Sequence, residues 1–288
     1  MRALRYFILL GVLISAAFSA KAQTGSFMNI PQNTRELAMG GINAGSDAES
    51  VLNDATLTAD ASFLIWSPGG VGTDVLTADM SYRLGNFAVL AEGGANLYKP
   101  YPVFDEYGNN SGEYTPNETL FGIGAAYKVM PGLSVSLMAK YAGANLAPTA
   151  KSSAFCADVN MAFNLKSLTI GVSCSNIGSG NIPMLLEAGA RNTFGFGEAL
   201  KLGVGAEAGY ISQGQHNAVV ASAGLDLKIK ETVSVMAGYH FSTNTTFEPS
   251  YVSAGLGVDI AMIKISAAYL TGNPYIGNTI GFTLGCAF

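Results

Sequence analysis

Residues 278–288 read NTIGFTLGCAF. Ile280, Phe282, Leu284, Cys286 and Phe288 share one face of an extended chain, and Thr279, Gly281, Thr283, Gly285 and Ala287 share the other. Strict period-two alternation belongs to a strand whose two faces meet different surroundings. A soluble sheet with one wet face shows the same pattern, so the fold turns on what the apolar face meets.

Upstream the pattern repeats. Strands are predicted over 61–67, 75–84, 87–97, 120–129, 133–145, 153–165, 168–177, 184–195, 200–211, 217–229, 232–242, 251–261, 263–271 and 278–288. Fourteen is an even number, as in single-chain bacterial barrels, and strands of this length suit a tilted crossing of a bilayer. Connections alternate in length. Gly85–Asn86, MPG, Lys166–Ser167, FGEA, KET and Met262–Ile263 are short, whereas the stretch at 98–118, APTAKS, SGNIP, SQGQH, TNTTFEPS and TGNPY are longer. Outer-membrane barrels sort their turns in this way, with the short set on the periplasmic side.

The faces agree. Leu133, Val135, Leu137, Ala139 and Tyr141 oppose Ser134, Ser136, Met138 and Lys140. Val233, Val235, Ala237, Tyr239 and Phe241 oppose Ser234, Met236, Gly238 and His240. Apolar stripes end in aromatics, as do those of Tyr82, Tyr127, Tyr210 and Tyr269, and aromatic girdles mark membrane interfaces. Composition points the same way. The chain of 288 residues is 49% hydrophobic and only 12% charged, with 35 glycines. Soluble domains carry roughly 25% charged residues.

Residues 1–22, MRALRYFILLGVLISAAFSAKA, have Arg2 and Arg5 before an apolar run and an Ala20-Lys21-Ala22 end. This is the layout of a secretory signal cut near Ala22–Gln23, and the run is too short to span a bilayer. Without Arg2, Arg5 and Lys21, 12 basic residues face 20 acidic ones, a charge of −8. Nucleic acid is excluded as a partner on that charge. Residues 23–60 read as a plug segment, in which Ser46 and Asp47 look like the cap of a two- or three-turn helix. Residues 61–288 read as the barrel. Unpaired backbone groups in hydrocarbon cost several kcal/mol each, so strands enter a bilayer only as a closed sheet. The expected fold is all-β: an antiparallel transmembrane β-barrel of about 14 strands in the outer membrane, contacting its lipid. Phe288 resembles the aromatic signal read by the barrel assembly machinery.

Several stretches carry a family resemblance. RELAMGGINAG (Arg35 to Gly45) resembles the R-x-x-x-MGGA opening of the PorV/PorQ family, which is related to FadL-type barrels. FLIWSPGG (Phe63 to Gly70) resembles its W-N-P-A-G box, with Ser67 and Gly69 in place of Asn and Ala. SNIGSGNIPMLLEAGA (Ser175 to Ala190) is similar to its NLG…LP…LRLGA segment, and GYHFS (Gly238 to Ser242) to its AGY strand. The resemblance implies a partly plugged fourteen-stranded barrel, accessory to type IX secretion or to surface attachment of exported proteins. Secretion-system or cargo proteins would then be its partners. The alternative within the same superfamily is a FadL-like transporter of hydrophobic small molecules.

Chemistry is sparse. The two histidines and three cysteines form no HExxH or CxxC, so no metal or cofactor is expected. Cys156 is expected in the lumen and Cys174 towards lipid, hence unbonded. His240 with Glu207 or Asp259 and a serine such as Ser266 is a conceivable hydrolase set, but His240 points inward, away from lipid, and a non-enzyme is expected. Lys140, Asp158, Glu187, Arg191, Glu207, His240 and Asp259 are expected to face the lumen, with Asp79, Arg83, Glu92, Lys201, Asp226, Lys228 and Lys264. Inward glycines suggest a closely packed interior. Tyr98, Tyr101, Phe104, Tyr107 and Tyr114, in the longest loop, are the candidate surface for a protein partner.

Overall fold

In the computed structural model, residue 28 and residues 33–52, 55–66, 72–178, 182–197, 199–272 and 277–288 are described. The expected signal segment and its cleavage site, most of 23–32 and the box at 67–70 lie outside these residues.

Fourteen described strands close into one antiparallel barrel. They are β1 (Leu57–Trp66), β2 (Thr73–Leu84), β3 (Phe87–Tyr98), β6 (Asn117–Met130), β7 (Leu133–Ala147), β8 (Ala150–Leu165), β9 (Leu168–Gly178), β10 (Met184–Phe196), β11 (Leu200–Gln213), β12 (His216–Ile229), β13 (Val233–Ser242), β14 (Tyr251–Ile260), β15 (Ile263–Gly272) and β16 (Asn278–Ala287). Two more, β4 (Tyr101–Phe104) and β5 (Asn110–Tyr114), form a separate hairpin between β3 and β6. The seam closes where Phe63 pairs with Phe282 and Ile65 with Ile280. At its lower end Phe288 N–H donates to the Leu57 carbonyl at 2.9 Å. No sheet edge is left in the barrel, which is what a bilayer demands.

Alternation fills both faces as expected. Along β2, Val75, Thr77 and Ser81 are buried while Leu76, Met80 and Tyr82 are exposed. The exposed set forms an apolar outer belt with aromatics at both rims. Tyr82, Phe87 and Tyr127 stand near the rim of short turns, and Tyr141, Tyr210, Tyr239 and Tyr269 near the other.

Three details differ from the expectation. The first strand starts at Leu57, which brings Asp60 into the wall. APTAKS and SQGQH are not loops: Ala147 pairs with Ala150 and Gln213 with His216, so β7–β8 and β11–β12 run on as tight hairpins. Gly214, at φ 60°, supplies the left-handed turn residue for the second of them. Finally, the long segment after β3 is structured by its own hairpin.

Two short helices sit inside the barrel. The first, Thr34–Ala38, packs on β13 to β16, and the second, Ser46–Glu49, on β6 to β8. Asn33 caps the first, its side-chain oxygen accepting from Arg35 N–H at 2.8 Å. The second is a single turn rather than two or three. Gly45 in the left-handed conformation precedes it, and Ser46 makes no cap.

Candidate functional site in the plugged lumen

Residues 33–52 thread the lumen because the wall facing them is built from small residues. A Cβ at Gly171 would overlap the Ala44 carbonyl, and one at Gly238 would overlap the Met39–Gly40 peptide. At Gly255 it would stand 2.5 Å from the Ala38 Cβ. Lumen-facing glycines therefore let the plug backbone lie directly on the sheet, in line with the close packing read from sequence.

Polar latches fix the plug in place. Thr34 donates from N–H and Oγ1 to Thr283 Oγ1 at 3.0 and 2.8 Å, and its hydroxyl meets Ser266 Oγ at 2.6 Å. Arg35 is ion-paired with Asp259, whose other oxygen lies 2.9 Å from Lys228 Nζ. Glu207 Oε2 accepts from Asn43 and Ala44 N–H at 3.2 and 2.7 Å. Ser134 and Ser253 donate to the carbonyls of Ala48 and Ala38 at 2.6 and 2.9 Å. Asn160 donates to Asp47 at 3.0 Å, and Arg191 pairs with Glu49.

Of the lumen residues named from sequence, Lys140, Asp158, Glu187, Glu207 and His240 are buried, Arg191 and Asp259 pair with the plug, and Asp79, Glu92 and Lys264 line an interior chamber. Lys201, by contrast, is half exposed and pairs with Glu231 in a short turn. Lys140, 5% exposed, is 2.6 Å from Asp158 and 3.9 Å from Glu92. Asp158 also accepts from Asn176 N–H at 2.6 Å. That bond secures a β9 bulge, where Ser175 and Asn176 together face Asp158 and Asn176 takes φ 59°. Cys156 is buried on the inner face, Cys174 lies opposite outward Val159, and both are free thiols. The conceivable hydrolase set is dispersed. His240 Nδ1 meets Ser222 Oγ at 2.9 Å and its ring stacks on Tyr251 at 5.0 Å, while Asp259, Glu207 and Ser266 are all engaged with the plug.

The lumen is layered. Towards the long-loop rim the inner face carries apolar clusters around Leu64, Val75 and Leu270, around Leu120, Ala142 and Ile182, and around Ile211 and Val220, with buried Asn96 and Glu118 between the first two. Loop 243–250 closes over the last of these: Phe247 packs on Ile211 and Val220 and stacks on His216 at 5.7 Å. Glu248 follows it inward to 3.7 Å from His240 Nε2, and its burial pushes the carboxyl up to about 7. Below lies a polar waist holding a chamber of about 380 Å³.

The aromatic loop divides. Tyr98 donates to Glu118 at 2.8 Å, Tyr101 to the Leu146 carbonyl at 3.2 Å, and Tyr114 to the Asn145 carbonyl at 3.4 Å. Tyr101 and Tyr114 rings meet at 5.9 Å. These three fasten the hairpin to the rim, leaving Phe104 and Tyr107 exposed at its tip. Asp105 forms the turn, and bonds from the Asn109 side chain and backbone hold its carboxyl below the usual range.

Sequence reading missed Asn33, Arg35, Asp47, Glu49 and Asp60 as lumen chemistry. Asn33 and Glu36 at capping-box spacing were the available signal for the first helix. No protein-family model matches the sequence, and no curated protein matches it. Solved structures share the fold. The toluene transporter TodX of Pseudomonas putida superposes with a TM-score of 0.58 at 11% identity, covering 89% of this chain and 98% of that one. The monoaromatic hydrocarbon channel CymD gives 0.59 at 12%, covering 91% and 99%. The outer membrane protein Omp33 of Acinetobacter baumannii gives 0.52 at 13%, covering 81% and 98%. At such identities the likeness is one of fold.

Proposed function

We propose that this protein is a non-enzymatic outer-membrane channel that admits hydrophobic small molecules, in the manner of FadL-like barrels. The layered lumen carries this reading. Apolar clusters on the inner face at the long-loop rim, one of them capped by Phe247, above a latched plug, offer an apolar solute burial at about 25 cal/mol per Å². The apolar belt and closed seam suit a bilayer, and TodX and CymD have the same fold. Nothing in the comparisons or in the structure favours an accessory role in type IX secretion over this one.

Uptake of labelled toluene by cells whose outer membrane lacks another hydrocarbon channel tests the proposal. Expression is expected to raise the rate several-fold, and Val220→Asp, which puts a charge in the apolar layer, to abolish the gain. Uptake equal to that of cells without the protein would overturn it.

A further inference from the structure

The waist holds chemistry that an apolar solute does not use. In register around the wall, Asp60 on β1 lies opposite Asp79 on β2, and Asp79 opposite Glu92 on β3. Like charges at opposed positions destabilise a sheet. The outer neighbours in this row are glycines, Gly285 beyond Asp60 and Gly122 beyond Glu92. A Cβ at Gly122 would stand 2.6 Å from Glu92 Cγ, and one at Gly285 would collide with the Asp60 carboxylate. Both acids thus lean over glycine, Asp60 towards the strand bearing Lys264 and Glu92 towards Lys140. Asp79 is left between them, with no hydrogen bond or ion pair among the described residues.

All three acids line the 380 Å³ chamber, whose volume falls within the roughly 300–1,000 Å³ of small-molecule sites. Among its described lining residues eight carboxylates face Lys140, Arg191 and Lys264. Lys140 is taken by Asp158 and Arg191 by Glu49, so the acid excess is not met from within. On the far wall Ser173, 4% exposed and also lining the chamber, has a hydroxyl oxygen with no partner among the described residues. It sits in register between Asn160 and Glu187. Carboxylates and an idle hydroxyl ask for a donor that carries positive charge. A bare metal ion does not fit, because no group of three His, Cys, Asp or Glu among the described residues is close enough to hold one.

We propose that the waist chamber binds a small organic cation, an alkylamine or diamine whose ammonium sits against Asp79, with Ser173 Oγ a further acceptor. The site is independent of the hydrocarbon reading, since it lies below the apolar layer. The test uses the full protein in mild detergent with putrescine as probe, at constant ionic strength. Titration calorimetry and the thermal midpoint are both expected to show saturable binding, with no response to the dianion glutarate. Asp79→Asn removes a like charge, so the barrel is expected to fold and keep its heat-modifiable gel mobility while affinity falls at least tenfold. Ser173→Ala is expected to weaken binding a few-fold. No saturable signal, a signal reproduced by matched sodium chloride, or unchanged affinity in Asp79→Asn would each overturn the proposal.

Discussion

Arg35 in the first plug helix is ion-paired with Asp259 on β14, 224 residues further along the chain. Lys228 shares the same carboxylate. One acid therefore restrains two cations, one on the plug and one on the wall. Removing a partner from a part-buried pair leaves uncompensated charge, and complete burial would cost about 3–5 kcal/mol. Because these groups keep some solvent contact, Asp259→Ala is expected to cost about 2 kcal/mol in urea unfolding. It should also speed protease cleavage within 33–52, since the plug is what the pair retains.

A substitution at Gly238 tests close approach. Gly238→Ala places a methyl group in the Met39–Gly40 peptide, whereas a Cβ at Gly195 meets nothing within 4 Å among the described residues. Overpacking of this kind costs typically 1–3 kcal/mol. The denaturation midpoint should fall for Gly238→Ala and stay near wild type for Gly195→Ala.

Loop 243–250 is expected to respond to pH through Glu248. Burial raises its carboxyl from 4.5 to about 7, so the folded loop prefers the neutral acid. The stabilisation is complete below about pH 4.5 and is lost as pH rises through 7. Hydrogen exchange across 243–250, corrected for the intrinsic rate, should be about tenfold faster at pH 8 than at pH 5.5. Glu248→Gln, which cannot ionise, should flatten the dependence.

The short turns hold small reserves of strain. Ala261 takes φ 52° between β14 and β15, a conformation that costs an L-residue roughly 1–2 kcal/mol. Ala261→Gly is expected to stabilise the barrel by about 1 kcal/mol, read from the unfolding free energy.

What the sequence determined by itself was the barrel. Side-chain direction in a strand repeats every two residues, so NTIGFTLGCAF displays both its faces without knowledge of its neighbours, and closure follows because hydrocarbon tolerates no unpaired edge. Lys140, Asp158, Glu207 and Asp259 were legible as inward for the same reason. Tertiary structure decided what those inward groups meet. Whether Glu207 caps the amides of Asn43 and Ala44, or Asp79 stands unpartnered among the described residues while Asp60 and Glu92 lean away over glycine, depends on register between strands and on where residues 33–52 lie. The hairpin at 101–114 and the inward turn of Phe247 were equally hidden. Local alternation fixes a face, but partnership across the lumen is a property of the closed ring, joining residues up to 249 positions apart.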